Sequence, residues 1–149
     1  MNFLESTKTD AKSDIAVASN ETHSHEIDTL GYAHASIDIL FSPFTAAAGG
    51  TTAATVLKLQ ESNVSGSGQT DISGFVGGTD FTVGAAVTAT SSVGYACRFD
   101  LDLRGHKRYL TIAATPVSAV GIVTVARLSK GTDGPVSASQ KNVTVAVSG

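Results

Sequence analysis

The clearest pattern in the sequence is the alternation of apolar and polar positions between residues 95 and 128. Every second position from Cys97 to Leu103 is apolar, and charged residues fill the positions between them, from Arg98 to Arg104. A period of two predicts a strand with one buried face and one face in water. The alternation resumes at residues 109–112 after the polar turn 105–107, and residues 120–128 form a third run rich in β-branched side chains. These runs predict three consecutive strands that pair as a meander.

Other short runs of the same kind precede and follow this region. Residues 33–41 alternate up to Ser42-Pro43, residues 55–61 place Leu57 and Leu59 on one face, and residues 71–75, 81–83 and 143–147 are shorter strand candidates. Glycine-rich turns separate them, the stretch 46–50 favours a loop, and no long repeat is present. About eight strands without a helical period predict an all-β fold, a single β-sandwich of Greek-key or jelly-roll type rather than a closed barrel.

The first thirty residues differ from the rest because neither a helical nor a strand period holds for long in them. They form a polar run with isolated apolar residues. Such a segment cannot bury much apolar surface, so we predict an extended N-terminal arm at residues 1–30 that is ordered only where something binds it. The sandwich domain is then expected to span residues 31–149.

Composition narrows the classes of function. Charged residues make up 15% of the chain, the net charge is -3, and tryptophan is absent. This charge balance leaves no basic surface for nucleic acid, so no nucleic-acid partner is expected. No stretch approaches the roughly 20 apolar residues of a membrane span, and no apolar signal segment occurs near the N-terminus, which favours an intracellular product and no membrane partner. The single cysteine, Cys97, is expected to be a small buried apolar residue rather than a nucleophile.

One histidine-rich stretch is a candidate metal site. His23 and His25 lie beside Glu26 and Asp28, with His34 further on. Imidazoles and carboxylates can bind zinc, but this spacing matches no common zinc site and no cysteine joins it. A solvated linker is the favoured interpretation, and convergence of these histidines around an axis of an oligomer is left open.

A second cluster is basic and centres on the turn at residues 105–107. Arginine side chains there could bind carboxylates of an acidic partner surface, or the cluster could be a charged turn that discourages unwanted strand pairing. Asp100 and Asp102 lie on the same strand face as Arg98 and Arg104, so ion pairs within the chain are a third possibility.

Catalytic motifs are missing from the sequence. There is no Gly-x-Ser-x-Gly elbow, no phosphate-binding glycine loop with its lysine, and no dense array of acidic residues around Asp71, Asp80 or Asp133 that would favour calcium. We therefore expect a protein that is not an enzyme, with no catalytic residue, no cofactor and no metal.

Three stretches carry a resemblance to a known group of proteins. They are VLKLQES at residues 56–62, TDISG at residues 70–74 and GHKRYLTI at residues 105–112. In these stretches the chain resembles small structural proteins of tailed bacteriophages, and the likeness spans roughly residues 31–128. The resemblance implies a virion component, most often a head decoration (cement) protein or a tail or neck protein, and it implies no catalytic residue.

The resemblance leads to a functional hypothesis. We expect a capsid decoration protein that binds the major capsid protein on the outer surface of the phage head, as an oligomer and preferably a trimer, after assembly in the host cytoplasm. Two alternatives are a tail, neck or baseplate component and a lectin-like module that binds glycans. The candidate residues for the capsid or subunit interface are Phe3, Leu4, Ile15, Val17, Arg98, Arg104, His106, Lys107 and Arg108.

Overall fold

The computed structural model describes residues 7–19, 21–44, 52–85 and 94–130, together with the backbone of residues 145–148. These residues form nine strands and no helix. The strands are β1 (Thr7–Val17), β2 (His23–Asp28), β3 (His34–Phe41), β4 (Ala54–Ser62), β5 (Thr70–Val76), β6 (Tyr95–Asp102), β7 (Tyr109–Pro116), β8 (Val120–Ser129) and β9 (Val145–Ser148). The prediction of an all-β sandwich is confirmed.

The strands are divided between two sheets that pack face to face. The five-stranded sheet has the order β1-β8-β3-β6-β9, and the four-stranded sheet has the order β2-β7-β4-β5. Strands β1 to β8 pair antiparallel as 1 with 8, 2 with 7, 3 with 6 and 4 with 5, whereas β9 runs parallel to β6. Without β9, each sheet has four strands, and this pairing of β1 to β8 is that of a jelly roll. The jelly roll is one of the two sandwich types that the sequence predicted.

The predicted meander is wrong. Strands β6 and β8 lie in the five-stranded sheet and both pair with β3, while β7 lies in the other sheet between β2 and β4. The connections at residues 103–108 and 117–119 therefore cross from one sheet to the other. A period of two reports which side chains are buried but does not report which strand is the hydrogen-bonded neighbour.

Most strand positions agree with the pattern, and a few predictions fall elsewhere. Residues 81–83 do not form a strand, since only an isolated bridge joins Gly77 to Phe81. The final strand is observed at Val145–Ser148, while residues 143–144 and the predicted loop 46–50 lie outside the described residues.

The N-terminal arm differs most from its prediction. Residues 7–17 are the edge strand β1, paired with β8, and residues 23–28 are β2, paired with β7, so the boundary at residue 31 is corrected to a domain that includes Thr7. The inward face of β1 carries charged residues (Lys8, Asp10, Lys12, Asp14), which hides its strand period from a search for apolar alternation. Residues 1–6 lie outside the described part of the chain.

The two long sides of the sandwich interior differ in chemistry. On the side of β5 and β6, the ring of Phe99 contacts the rings of Phe75 and Phe81 edge to face, with centroid separations of 5.5 and 5.7 Å. On the side of β1 and β2, the interior is lined by histidine, threonine, lysine and aspartate side chains. The apolar side supplies ordinary core packing, and the polar side joins the two edge strands through hydrogen bonds.

Candidate functional site

The outer face of the five-stranded sheet carries an exposed apolar patch. The strand register places Leu40 directly between Val123 and Ala96, and Ala11 opposite Val125, so these side chains share one face. Ile15, at the end of β1, is 93% exposed, and Leu40 is 41% exposed. We call Ala11, Ile15, Leu40, Ala96, Val123 and Val125 the apolar patch. Ala96, Val123 and Val125 are half-buried, and apolar side chains grouped on the solvent side of a sheet suit a contact between proteins.

An ionic cluster lies directly beside the apolar patch. Arg98 donates from Nε and Nη2 to the two carboxylate oxygens of Asp38, at 2.5 and 3.0 Å, and Arg127 donates to the same carboxylate from the other side. The Asp38 side chain is only 11% exposed, whereas that of Arg127 is 53% exposed. The hydrogen bond to Asp38 raises the pKa of Arg98 above its ordinary value. Asp100 lies on the same face and also raises the pKa of Arg98, so two guanidinium groups and two carboxylates lie together beside the patch.

The other basic residues of the predicted interface are paired with carboxylates of their own chain. Arg104 forms an ion pair with Asp102 at 2.5 Å, and Arg108 forms one with Asp28 at 2.6 Å. The connection between β6 and β7 bends at Gly105, whose φ of 101° is a left-handed conformation that suits glycine.

Glu61 on β4 neutralises the rest of this turn. Its carboxylate contacts Nδ1 of His106 at 2.8 Å and accepts a hydrogen bond from the backbone N–H of Lys107 at 3.2 Å. The Lys107 ammonium donates to the Thr70 hydroxyl and also lies 3.9 Å from the other carboxylate oxygen of Glu61. The hydrogen bond from Arg108 lowers the pKa of Asp28 to about 2, so that pair stays charged through the neutral range. The guanidinium groups of Arg104 and Arg108 are therefore already paired with carboxylates of the same chain.

The apolar residues predicted as anchor points of the arm have different positions. Phe3 and Leu4 lie outside the described residues. Ile15 is exposed in the apolar patch, whereas Val17 is 4% exposed and packs in the core of its own domain. Of the two that the structure describes, only Ile15 is available to a partner.

The histidine-rich stretch is buried rather than a solvated linker. His23 and His25 are 1% and 5% exposed and point between the sheets from β2. The Thr124 hydroxyl on β8 lies 3.1 Å from Nε2 of His23 and 2.6 Å from Nδ1 of His25. Each ring also contacts a carboxylate of β1: Asp14 lies 2.5 Å from His23, and Asp10 lies 3.1 Å from His25. We call Asp10, Asp14, His23, His25 and Thr124 the polar chain.

Two lysines of β1 also connect the two sheets on this side of the sandwich, through hydrogen bonds to the backbone of β2. Lys12 donates to the backbone carbonyl of Ser24 at 2.7 Å, and Lys8 donates to that of Asp28 at 3.3 Å. Both carbonyls belong to β2, the edge strand of the four-stranded sheet. Capping these groups occupies backbone acceptors that an edge strand would otherwise present to another chain. The charged face of β1 thus attaches one sheet to the other.

The stability of the fold is expected to decrease as the pH falls from 7 to 5. Burial lowers the pKa of His23 below its ordinary value of 6.5, and the hydrogen bond to Asp14 opposes this only in part. Since the unfolded chain then binds more protons than the folded chain, stability is present above pH 6.5 and is lost as the pH falls through the folded pKa. Urea unfolding at both pH values measures the change. A His23→Gln variant should show a smaller decrease; an equal decrease would assign the effect to another group.

Neither metal binding nor thiol chemistry gains support from the described residues. No group of three or more histidine, cysteine or acidic side chains is placed there to hold a metal ion. Asp71 binds Lys58 and Gln60, and Asp80 accepts hydrogen bonds from the N–H groups of Gly74 and Val76, while Asp133 lies outside the described residues. Cys97 is fully buried, as predicted, and burial raises its pKa to about 12.

Sequence reasoning missed Thr124, Arg127, Asp38 and the two β1 aspartates. A signal for β1 was present, because Lys and Asp alternate with small residues from position 7 to 14 with a period of two. Thr124 offered no signal, since a threonine at an inward position of a strand looks like any other β-branched residue.

Comparison with known proteins found no match for the chain. No family model matches the sequence, and no curated protein matches it. None of the described residues belongs to a helix that is long and apolar enough to cross a membrane.

Proposed function

We propose that the protein is a non-enzymatic structural component of a phage virion, a decoration protein that binds the outer surface of the head as an oligomer. The observation that carries this proposal is the apolar patch on the outer face of the five-stranded sheet, with a cluster of paired arginine and aspartate side chains beside it. An apolar area bordered by polar groups suits a protein–protein contact. The motif resemblance to small structural proteins of tailed phages supports the kind of partner, the major capsid protein.

The mechanism requires no chemistry beyond binding. A protein that binds only the assembled shell stabilises that shell by mass action. Many copies, each with a modest contact, add their effects when one copy bridges neighbouring capsid subunits. The fold itself leaves the function open, because jelly rolls occur both in viral capsid proteins and in lectins.

The position of the protein in the virion tests the proposal. Antibody raised against the full chain would be applied to virions of the phage that encodes it and viewed by immuno-electron microscopy. Label on the head supports a decoration protein. Label confined to the tail, neck or baseplate would transfer the proposal to the alternative named from the sequence, and unlabelled virions would contradict a structural role altogether.

The Leu40→Lys substitution is expected to weaken binding to purified heads by tenfold or more. Leu40 lies in the centre of the apolar patch, and burying a leucine in an interface contributes roughly 1.5–3 kcal/mol. Val64→Lys is the matched control, because Val64 is also exposed but lies in the turn after β4, away from the patch. Co-sedimentation with heads over a range of protein concentrations gives both affinities. Equal affinities for the two variants would exclude the patch as the capsid contact.

A lectin-like function has less support from the described residues. Sugar rings commonly stack on exposed aromatic side chains, and the chain offers three tyrosines and no tryptophan. Tyr95 is buried and accepts a hydrogen bond from the N–H of Gly84, and Tyr32 packs against the core. Tyr109 lies under the Arg108 guanidinium, 4.9 Å from its ring centre. Each of the three rings therefore already has a contact within the chain.

A further inference from the structure

We propose that two copies of the chain pair antiparallel through β1, with the two-fold axis at Ala11. Strand β1 is eleven residues long and forms one edge of the five-stranded sheet, so within the described chain only its β8 side is paired. Its register with β8 is regular from residue 7 to residue 14 and contains no proline. A long regular edge of this kind is a template for another strand.

The alternation of charge along β1 selects the partner. The inward-facing residues are Lys8, Asp10, Lys12 and Asp14, in the order plus, minus, plus, minus. An antiparallel pair centred on Ala11 places Lys8 opposite Asp14 of the partner subunit, and Asp10 opposite Lys12 of the partner subunit. Oppositely charged residues directly across a strand pair stabilise it. Each β1 strand is therefore complementary to a second copy of itself.

The same charges disfavour the neighbouring registers. A shift of one residue would place inward-facing residues opposite outward-facing ones, which a two-fold axis perpendicular to the sheet does not allow. A pair centred on Asp10 would put Lys8 opposite Lys12, and a pair centred on Lys12 would put Asp10 opposite Asp14. Both bring like charges together. Pairs centred on Thr9 or Ser13 also set lysine opposite aspartate, but at two places instead of the four that a pair centred on Ala11 provides. Charges on an edge discourage pairing with arbitrary strands, and here they favour the register centred on Ala11.

The side chains involved are held in place but still reach solvent. Those of Lys8, Asp10, Lys12 and Asp14 are between 31% and 43% exposed, and each already lies in an ion pair with its neighbour along β1. On the outer face, the pairing sets Ala11 against Ala11 and Thr9 against Ser13, all small residues that are exposed in one copy. A strand pair can therefore form without displacing a bulky group.

The pair would also enlarge the candidate interaction surface. The two five-stranded sheets join into one continuous sheet, and because Ala11 belongs to the apolar patch, the two patches meet at the axis. The pairing does not depend on the proposed capsid role. It differs from the trimer that the resemblance favours, since a two-fold contact uses the same surface on both copies whereas a ring of three does not.

Engineered cysteines on the outer face of β1 test the register in the full chain. Opposite residues of an antiparallel pair have Cα atoms roughly 4.5–5.5 Å apart, within reach of a disulfide, so Ala11→Cys should cross-link to itself under mild oxidation. Thr9→Cys and Ser13→Cys should each fail alone, because a self-contact would span four residues, roughly 13 Å. An equimolar mixture of these two should cross-link. The native Cys97 is fully buried and does not compete.

The mass in solution provides the second measurement. Light scattering of the unmodified protein should give twice the 15.1 kDa of one chain at high concentration. Ala11→Lys, which sets two positive charges opposite each other at the axis on the exposed outer face, should raise the dissociation constant about tenfold while circular dichroism stays unchanged. A monomer at all concentrations, a trimer, or self-cross-linking of Thr9→Cys in place of Ala11→Cys would each overturn the proposal. None of these results involves capsids, so they leave the proposed function to its own tests.

Discussion

Thr124→Val is expected to lower the free energy of unfolding by about 2–4 kcal/mol. The Thr124 hydroxyl lies 3.1 Å from Nε2 of His23 and 2.6 Å from Nδ1 of His25, and it is the atom that connects the two buried rings. Valine has nearly the same shape, so the change removes hydrogen bonds without leaving a cavity. Two buried ring nitrogens then face a methyl group, and each unsatisfied group costs roughly 1–3 kcal/mol.

Thr111→Val is the matched control for this substitution. Thr111 is also a buried threonine in a central strand, but its hydroxyl has no hydrogen-bond partner among the described residues. Replacing a hydroxyl that is already unsatisfied should leave stability unchanged or increase it slightly. Urea unfolding followed by circular dichroism, at one fixed protein concentration, gives both free energies. Equal losses for the two variants would show that the polar chain contributes nothing specific to stability.

The strand positions could be predicted because half-buried strands show a period of two. In β3, the residues Ala35, Ile37, Ile39 and Phe41 are all buried, as their alternation predicts. The same holds for Leu57 and Leu59 in β4 and for the alternating positions of β6. Burial is a property of one residue and its face, so it leaves a local trace in the sequence.

The pairing of the strands could not be predicted in the same way. Strands β6, β7 and β8 are consecutive in the chain, yet each finds its hydrogen-bonded neighbours at a distance in sequence, as β3 with β6 and β1 with β8 show. From β5 to β8, each strand lies in the other sheet from the strand before it, and both a crossing connection and a hairpin begin with a short polar turn. The turn at residues 105–107 therefore did not distinguish the two.

The polar side of the sandwich was hidden for a related reason. An alternation of Lys and Asp with small residues resembles a solvated segment when the search is for apolar faces. It becomes an inward face only when another strand supplies His23, His25 and two backbone carbonyls to pair with it. The charges of β1 are thus explained by contacts between strands and not by the local pattern.

The candidate surface could be predicted only in part. Ile15 was identified as an anchor point and is exposed, but Leu40, Val123 and Val125 gained meaning only when the register placed them side by side. The basic turn was the strongest charge signal in the sequence, and carboxylates of its own chain pair with it in the structure. A charge cluster in sequence reports composition, whereas a binding surface also depends on which charges remain free.

Phe99→Ala is expected to lower the free energy of unfolding by about 3–5 kcal/mol, the largest effect of any change considered for this chain. Phe99 is fully buried on β6, and its ring meets the rings of Phe75 and Phe81 edge to face. Since Phe75 belongs to the four-stranded sheet, the contact joins the two sheets on the side opposite the polar chain. Removing the ring leaves a cavity at this contact as well as the loss of burial.

Phe81→Ala is the control that distinguishes the cost of the cavity from the cost of losing the contact between the rings. Both variants lose the contact between Phe81 and Phe99, which is worth roughly 0.5–1.5 kcal/mol. Because Phe81 is only partly buried, Phe81→Ala should lower the free energy of unfolding much less than Phe99→Ala does. Urea unfolding midpoints with an unchanged slope measure both. Natural domains are stable by only about 5–15 kcal/mol. If the alanine variant does not fold, Phe99→Leu keeps the comparison measurable, because it removes fewer buried atoms and leaves a smaller cavity. A loss for Phe99→Ala no greater than that for Phe81→Ala would mean that the contact between Phe99 and Phe75 does not hold the two sheets together.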